Sequence, residues 1–260
     1  MDELKEIREI SEKMSGVKHR IVVMSGKGGV GKSTVVANLA YALAKSGKKV
    51  GIFDADMHGP TIPKLFGAEK SRINAGKDGI EPVSAQGIKM ISMDFLLDED
   101  KPLIWRGPLK MNAMKQLLME TNWGDLDYLI VDLPPGTGDE PLSIAQLLPS
   151  TDGAIIVSTP QNIALKSVRR SIGFAKSIGF DVIGMVINMA YVTCPKCGEK
   201  IDLFERGDIE KTLKDFDIEL LATLPFDTRA EHMAENGELF VSSESDISNE
   251  FNNIVRKVMK

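Results

Sequence analysis

Short runs of apolar residues recur along the chain and alternate with segments of helical periodicity. The runs are rich in β-branched residues and apolar at consecutive positions, which is typical of strands buried on both faces of a sheet. They lie at 21–24, 50–53, 89–92, 128–131, 154–157, 182–187 and 220–224. Helical patterns lie near 33–46, 108–120, 139–148, 162–178 and 206–215. The alternation predicts one α/β domain with a mainly parallel sheet of about seven or eight strands and helices on both faces.

The same pattern suggests how the chain divides. Residues 1–18 carry a short apolar stripe in a charged segment and are expected to form a helical extension docked on the surface. Residues 19–260 are expected to form the single domain, with an irregular or hairpin insertion at 67–88, where Gly and Pro are frequent. A second apolar stripe at helical spacing, 247–258, is expected to dock on the domain.

Composition narrows the class of protein. Of the 260 residues, 43% are hydrophobic and 27% charged, enough for a sizeable core, and 32 basic against 37 acidic residues leave a net charge of −5. Proteins that coat nucleic acid or bind anionic membranes are more often basic, so we expect neither partner. There are two cysteines, a charged N-terminus and no apolar run of about 18 residues, which favours a reducing cytoplasm without a signal peptide or membrane span.

A glycine-rich segment between the first predicted strand and a helix carries the clearest chemistry. It matches G-x-x-x-x-G-K-[ST], a loop whose backbone N–H groups surround a phosphate at a helix N-terminus. Lys32 is expected to neutralise the β- and γ-phosphates, and the Ser33 hydroxyl to bind Mg²⁺. The predicted nucleotide-binding residues of the loop are Gly26, Lys27, Gly28, Gly29, Val30, Gly31, Lys32, Ser33 and Thr34.

Carboxylates follow two of the predicted strands, at the sheet edge where ligands of parallel α/β proteins bind. Asp56 is expected to position the attacking water or to join the Mg²⁺ site; Asp54 either does the same or caps the turn. Asp132 ends an apolar strand in the Walker B arrangement and is expected to hold Mg²⁺. The magnesium set is therefore Ser33, Asp56 and Asp132, and the catalytic set contains Lys32 and Asp56.

Lys27 is a second lysine inside the loop. The string Gly-Lys-Gly-Gly-Val-Gly-Lys-Ser at 26–33 resembles the deviant Walker A motif of the MinD/ParA/NifH-like ATPases. That resemblance implies a homodimer in which Lys27 reaches the nucleotide of the other subunit and joins Lys32 and Asp56 in the catalytic set.

Longer strings resemble the Mrp/NBP35 family of ApbC-like iron–sulfur cluster carriers. They stand at 18–19, 25–33, 54–60, 105–108, 123–128, 132–139 and 159–161, within a similarity that extends from about residue 18 to about 235. The resemblance implies a cytosolic, dimeric ATPase with slow intrinsic hydrolysis that binds a [4Fe–4S] cluster and passes it to apo-proteins, with upstream scaffold proteins as further partners. It also implies that Asn188 hydrogen-bonds adenine; Pro225, after the last strand, is expected to line the base pocket.

Cys194 and Cys197 form a C-x-x-C pair after the strand that ends near Asn188. A [4Fe–4S] cluster or a Cys₄ zinc site takes four thiolates, and a two-fold dimer would supply two from each chain. A redox disulfide and a zinc knuckle are the alternatives. Pro195 and Gly198 favour a knuckle, since a thioredoxin-like pair sits at a helix start.

Two other classes share the predicted nucleotide site. A MinD/ParA-like positioning ATPase needs a membrane tail or a basic face and leaves the cysteine pair without a role. A NifH-like electron donor takes two widely separated cysteines per subunit, unlike the close pair found here. The sequence therefore favours an ATP-hydrolysing iron–sulfur cluster carrier.

Overall fold

Eight strands form the central sheet, in the order β12-β9-β8-β1-β7-β2-β6-β5. The computed structural model describes residues 2–56, 59, 61–77, 79–96, 107–148, 150–204 and 208–259. In chain order the strands are β1 Val17–Ser25, β2 Val50–Asp54, β3 Asn74–Gly76, β4 Gly79–Glu81, β5 Val83–Ala85, β6 Ile88–Ser92, β7 Leu126–Asp132, β8 Gly153–Ser158, β9 Val182–Ile187, β10 Tyr191–Thr193, β11 Lys200–Asp202 and β12 Leu220–Thr223. All neighbours in the sheet are parallel except β5, which pairs antiparallel with β6 at one edge.

Helices cover both faces of this sheet. They are α1 Asp2–Lys13, α2 Lys32–Lys45, α3 Ile62–Leu65, α4 Gly107–Glu120, α5 Asp139–Leu147, α6 Asn162–Ser177, α7 Ile209–Phe216, α8 Ala230–Glu235 and α9 Asp246–Val258, with 3₁₀ turns at Met93–Leu96 and Phe240–Ser242. Helices α2 and α9 pack together on one face, where Leu39 and Phe251 belong to one apolar core. Helices α1, α4 and α5 pack on the other, where Leu118 and Trp123 belong to a second core. The predicted parallel α/β sheet covered on both faces is confirmed.

The N-terminal helix docks on the domain through its apolar stripe, as the sequence predicts. Ile10 and Met14 are completely buried in the core beneath α4 and α5, and Arg20 donates from Nη2 to the Met14 carbonyl at 2.7 Å. Strand β1 starts at Val17, so the expected boundary after residue 18 falls inside a strand. Helix α1 is therefore part of the domain.

The insertion at 67–88 consists of the β3–β4 hairpin and the edge strand β5. The C-terminal stripe docks as expected: Phe251, Ile254 and Val255 on α9 are buried against the domain. No described helix is long and apolar enough to cross a bilayer. The strings containing Met57, His58, Pro60, Trp105 and Arg106 lie partly outside the described residues.

Candidate functional site

The phosphate loop lies at the carboxyl edge of the sheet, between the ends of β1 and α2. Gly31 immediately precedes α2 with φ of +79°, in the left-handed region that favours glycine. A Cβ at this position would also lie 2.2 Å from the Asn188 amide nitrogen, and one at Gly26 would lie 2.6 Å from the backbone of Ser167 in α6. Steric contact and backbone conformation thus both explain these glycines.

Lys32 is buried in the first turn of α2 and pairs with two carboxylates. Its Nζ contacts Asp132 Oδ1, and Asp56 Oδ2 lies 3.3 Å away. Burial disfavours the ammonium, but Asp132 and Asp56 outweigh it and raise the pKa of Lys32 above its usual value. Lys32 therefore remains a cation where phosphate charge is expected.

The carboxylates converge because β1, β7 and β2 are neighbours. Asp54 pairs in register with Asp132, and both are completely buried. Burial and the nearby Asp132 raise the pKa of Asp54 well above its usual value. Ser92 Oγ donates to Asp54 at 3.0 Å and the Asp56 N–H donates to it at 3.2 Å. These bonds make Asp54 an anchor for the turn that carries Asp56, as the capping interpretation expects.

The residues expected to hold Mg²⁺ fit a small hard cation. Burial raises the pKa of Asp132, while Lys32 and the Ser33 hydroxyl oppose that rise. Asp132 Oδ2 is buried without a hydrogen-bond partner among the described residues. An orphaned carboxylate oxygen beside a hydroxyl and Asp56 is the oxygen-rich donor set that Mg²⁺ takes. Ser33, Asp56 and Asp132 are therefore the residues that would bind it.

A cavity of about 500 Å³ opens in front of the loop. Its lining includes the loop and the start of α2, together with Asp56, Lys64, Leu65, Pro135 and Ala234. This concave, cationic space next to a helix N-terminus suits a polyphosphate.

Lys27 is held at the rim of the loop. Its Nζ donates to Gln161 Oε1 at 3.3 Å, and the Thr159 hydroxyl lies 3.4 Å from the same oxygen. Gln161 was not predicted as a functional residue. Its position just after β8, which neighbours β1, is the sequence signal that places it beside the loop.

Asn188 lies directly behind the loop and is almost fully buried. Its Nδ2 donates to the Val30 carbonyl at 3.0 Å. A side-chain amide has a second N–H and a carbonyl oxygen, so this bond is compatible with the predicted adenine contact. Pro225 lines a second cavity of about 550 Å³ with Phe226, Tyr191 and Arg229. The base-binding roles of Asn188 and Pro225 remain predictions.

The two cysteines lie on the hairpin of β10 and β11, between β9 and α7. Cys194 N–H donates to the Glu199 carbonyl and Gly198 N–H to the Cys194 carbonyl, both at 2.9 Å, closing a tight turn with Gly198 at φ of +75°. The backbone N–H of Cys197, then that of Lys196 and the Cys197 thiol, lower the pKa of Cys194. Hydrogen bonds to the thiolate favour metal binding. The pair is not at a helix start, which agrees with the knuckle interpretation.

Within the part of the chain that the structure describes, one copy does not complete a metal site with this pair. Cys194 is half-buried and Cys197 exposed, both as free thiols. Across the described residues, no group of three or more His, Cys, Asp or Glu side chains is arranged to hold a metal ion.

Together, a mainly parallel sheet, a glycine loop between β1 and α2, and a buried aspartate at the end of β7 define a P-loop NTPase. The family model described as ParA, the NUBPL iron-transfer P-loop NTPases, matches residues 16–259. The chain belongs to this family.

Its relatives include proteins named for iron–sulfur clusters. An iron–sulfur cluster carrier protein of Methanocaldococcus jannaschii is 47% identical over 254 residues, covering 97% of this chain and 88% of the relative. The cytosolic Fe-S cluster assembly factor CFD1 of Kluyveromyces lactis is 40% identical over 250 residues, covering 93% of this chain and 88% of that protein. The predicted resemblance to the carrier family is confirmed.

Solved structures agree on the fold. A nucleotide-binding protein of Archaeoglobus fulgidus, in complex with ADP and with cobalt found, is 42% identical and superimposes with a TM-score of 0.81 over 92% of this chain and 94% of that one. The cell division protein MinD of Aquifex aeolicus is 23% identical, with a TM-score of 0.64 over 93% and 96% of the two chains. That likeness shows the fold alone.

Proposed function

We propose that this protein binds and hydrolyses ATP and carries a [4Fe–4S] cluster, bound between two copies of the chain, to apo-proteins in the cytoplasm. The observation that carries the proposal is the cysteine hairpin. Cys194 and Cys197 are accessible thiols, backbone N–H groups favour the Cys194 thiolate, and the described part of one chain offers no third ligand. A cluster that takes four thiolates then needs a second copy.

Exposed apolar side chains beside the cysteines support such a dimer. Ile201 on β11 is 52% exposed, and Phe204 and Phe226 are 41% and 42% exposed. The Phe226 N–H donates to the Tyr191 carbonyl, so this loop adjoins the hairpin base. We call Ile201, Leu203, Phe204 and Phe226 the hairpin patch. Its burial against a second copy would remove apolar surface from water where the two cysteine pairs meet.

The nucleotide site supports ATP hydrolysis. In this proposal Lys32, which lies 3.3 Å from Asp56 beside the cavity, neutralises the β- and γ-phosphates. Asp56 orients a water for attack on the γ-phosphorus as the bond to ADP breaks. Mg²⁺, when bound, would neutralise phosphate charge. Lys27 of a second copy would add a further cation, and one chain alone is expected to turn over slowly.

Two alternatives use the same residues differently. In a dimeric ATPase with a zinc knuckle, four thiolates would also bind the metal, and that metal would be a structural zinc. A MinD-like positioning ATPase would need only the nucleotide site, so the cysteine hairpin would have no function. The 23% identity to MinD shows the fold alone.

Anaerobic reconstitution with iron and sulfide tests the proposal. We expect about 4 Fe per dimer and a broad visible absorption in the wild type, and neither in Cys194→Ala/Cys197→Ala. The loaded protein should activate an apo-enzyme that needs a [4Fe–4S] cluster. The double variant should still bind nucleotide, which controls for folding. Equal iron loading of that variant, or stable loading of a strict monomer, would contradict the proposal; a single tetrahedral zinc per dimer that iron does not displace would favour the zinc knuckle.

A further inference from the structure

One short segment joins the phosphate loop to the cysteines. It begins at Asn188, whose Nδ2 donates to the Val30 carbonyl at 3.0 Å. At Gly31, a Cβ would lie 2.2 Å from that nitrogen and 3.4 Å from Cε of Met189. Both side chains therefore contact the loop at the residue immediately before Lys32.

The backbone of this segment is fixed at its start and turns sharply. The Asn188 N–H donates to the Ser158 carbonyl at 2.7 Å, at the end of β8. Met189 follows with φ of +56°, in the left-handed region that non-glycine residues rarely adopt. A conformation of this kind persists where the surroundings determine it. The turn at Met189 thus depends on the position of its neighbours.

Beyond the turn the segment runs directly into the hairpin. Ala190 N–H donates to the Leu224 carbonyl at 2.9 Å, and the Tyr191 carbonyl accepts from Phe226 at 2.7 Å. Tyr191 is also the first residue of β10, and Cys194 follows that strand. Among the described strands, β10 and β11 pair with each other and not with the eight-stranded sheet. Segment 188–191 therefore connects the end of β9 in the sheet to β10, the strand that precedes Cys194.

We propose that Asn188 is a positioning residue that links occupancy of the phosphate loop to the cysteine hairpin through the turn at Met189. Phosphates that bind the loop N–H groups hold the Val30 carbonyl in place. The fixed carbonyl then holds the Asn188 side chain, and this restricts the motion of the hairpin. Linkage requires the reverse effect as well, so a metal on the thiols favours the loop conformation that binds nucleotide. The inference rests on the nucleotide site of the proposed function and not on cluster transfer.

The test measures thiol reactivity in metal-free protein, at concentrations where light scattering reports a monomer. The rate at which Cys194 and Cys197 react with an aromatic disulfide reagent is compared with and without saturating Mg-ADP. In the wild type we expect ADP to slow the reaction about threefold or more, with matching protection of hairpin amides in hydrogen exchange. In Asn188→Asp the carboxylate cannot donate to Val30. The ratio of the rates without and with ADP should then fall to about one, measured at an ADP concentration that calorimetry shows to saturate this variant.

Matched variants keep the test decisive. Asn252→Ala, an exposed amide on α9, should retain the wild-type ratio. Met189→Gly keeps the Asn188 amide but frees the turn, and should at least halve the ratio; it decides the matter if the Asn188 variant fails to fold or bind ADP. A wild-type protein whose thiols ignore ADP, or a full ratio in a folded, ADP-bound Asn188→Asp or in Met189→Gly, would overturn the proposal. Because no iron is used, the result is independent of whether the protein carries a cluster.

Discussion

Lys32 lies between two carboxylates that differ in their access to solvent. Asp132 is completely buried, whereas the Asp56 side chain is 13% exposed and lines the cavity. Buried like charges repel strongly, and the positive charge of Lys32 reduces the repulsion among Asp54, Asp56 and Asp132. The same cation is positioned for phosphate. Binding and turnover should therefore depend on different residues of this cluster.

Substitution of Lys32 and of Asp56 should separate the two functions. Lys32→Ala removes the cation from the loop and leaves the carboxylates unopposed, so nucleotide binding should be lost. Asp56→Ala should bind ATP but turn it over about 10²–10³ times more slowly, since positioned charge at a reaction centre is typically worth that much. Calorimetry and phosphate release measure the two effects. Wild-type turnover in Lys32→Ala would refute the assigned site.

Asp127 gives a prediction about pH. Lys18 Nζ donates to Asp127 Oδ1 at 2.8 Å and the Lys49 N–H to Oδ2 at 2.8 Å, which lowers the pKa of Asp127 from its usual 3.8 to about 2. A folded-state pKa below the unfolded one stabilises the fold above about pH 4, and that stability is lost as pH falls towards 2. Asp127→Asn should therefore lower the urea midpoint at pH 7, and the difference should disappear near pH 2. A difference that persists at pH 2 would show that another effect dominates.

At the scale of elements, the apolar runs predicted the strands of the sheet, and the polar residues that follow them marked its edge. Asp132 follows a run that becomes β7, and Asp56 one that becomes β2, so both were placed correctly from the sequence. Strands β3, β4, β5, β10 and β11 have three residues each, too few to show a period. The bond from Asn188 to Val30 was not predicted either, because it depends on tertiary proximity of the end of β9 to the loop.

Helix α1 docks through the apolar stripe that its sequence predicts. Ile10 lies on that stripe and is 0% exposed against α4 and α5. Ile10→Ala should lower the free energy of unfolding by about 2–5 kcal/mol, the range for large-to-small changes in a core. Urea denaturation measures this, with Leu109→Ala at an exposed position of α4 as the control. Equal midpoints for both variants would mean that α1 is not part of the cooperative unit.

At the scale of the whole molecule, the proposed dimer would bury the hairpin patch beside the cysteines. Ile201→Ser/Phe204→Ser should weaken self-association tenfold or more, since interface energy concentrates in a few apolar anchors. Sedimentation velocity measures association, and iron loading should fall in parallel. ADP affinity of the monomer should not change. Undiminished dimerisation would move the interface elsewhere on the surface.

The hairpin of β10 and β11 forms its own small sheet, apart from the eight-stranded one. The cores above and below the large sheet draw on helices and strands that lie outside β11 and the cysteine turn. The residues that would bind nucleotide thus lie in the body of the fold, whereas the two cysteines lie on a hairpin whose tip contributes little to either core. A protein engineer can therefore redesign the ligand types and spacing of that tip while leaving the two cores of the folding unit unchanged.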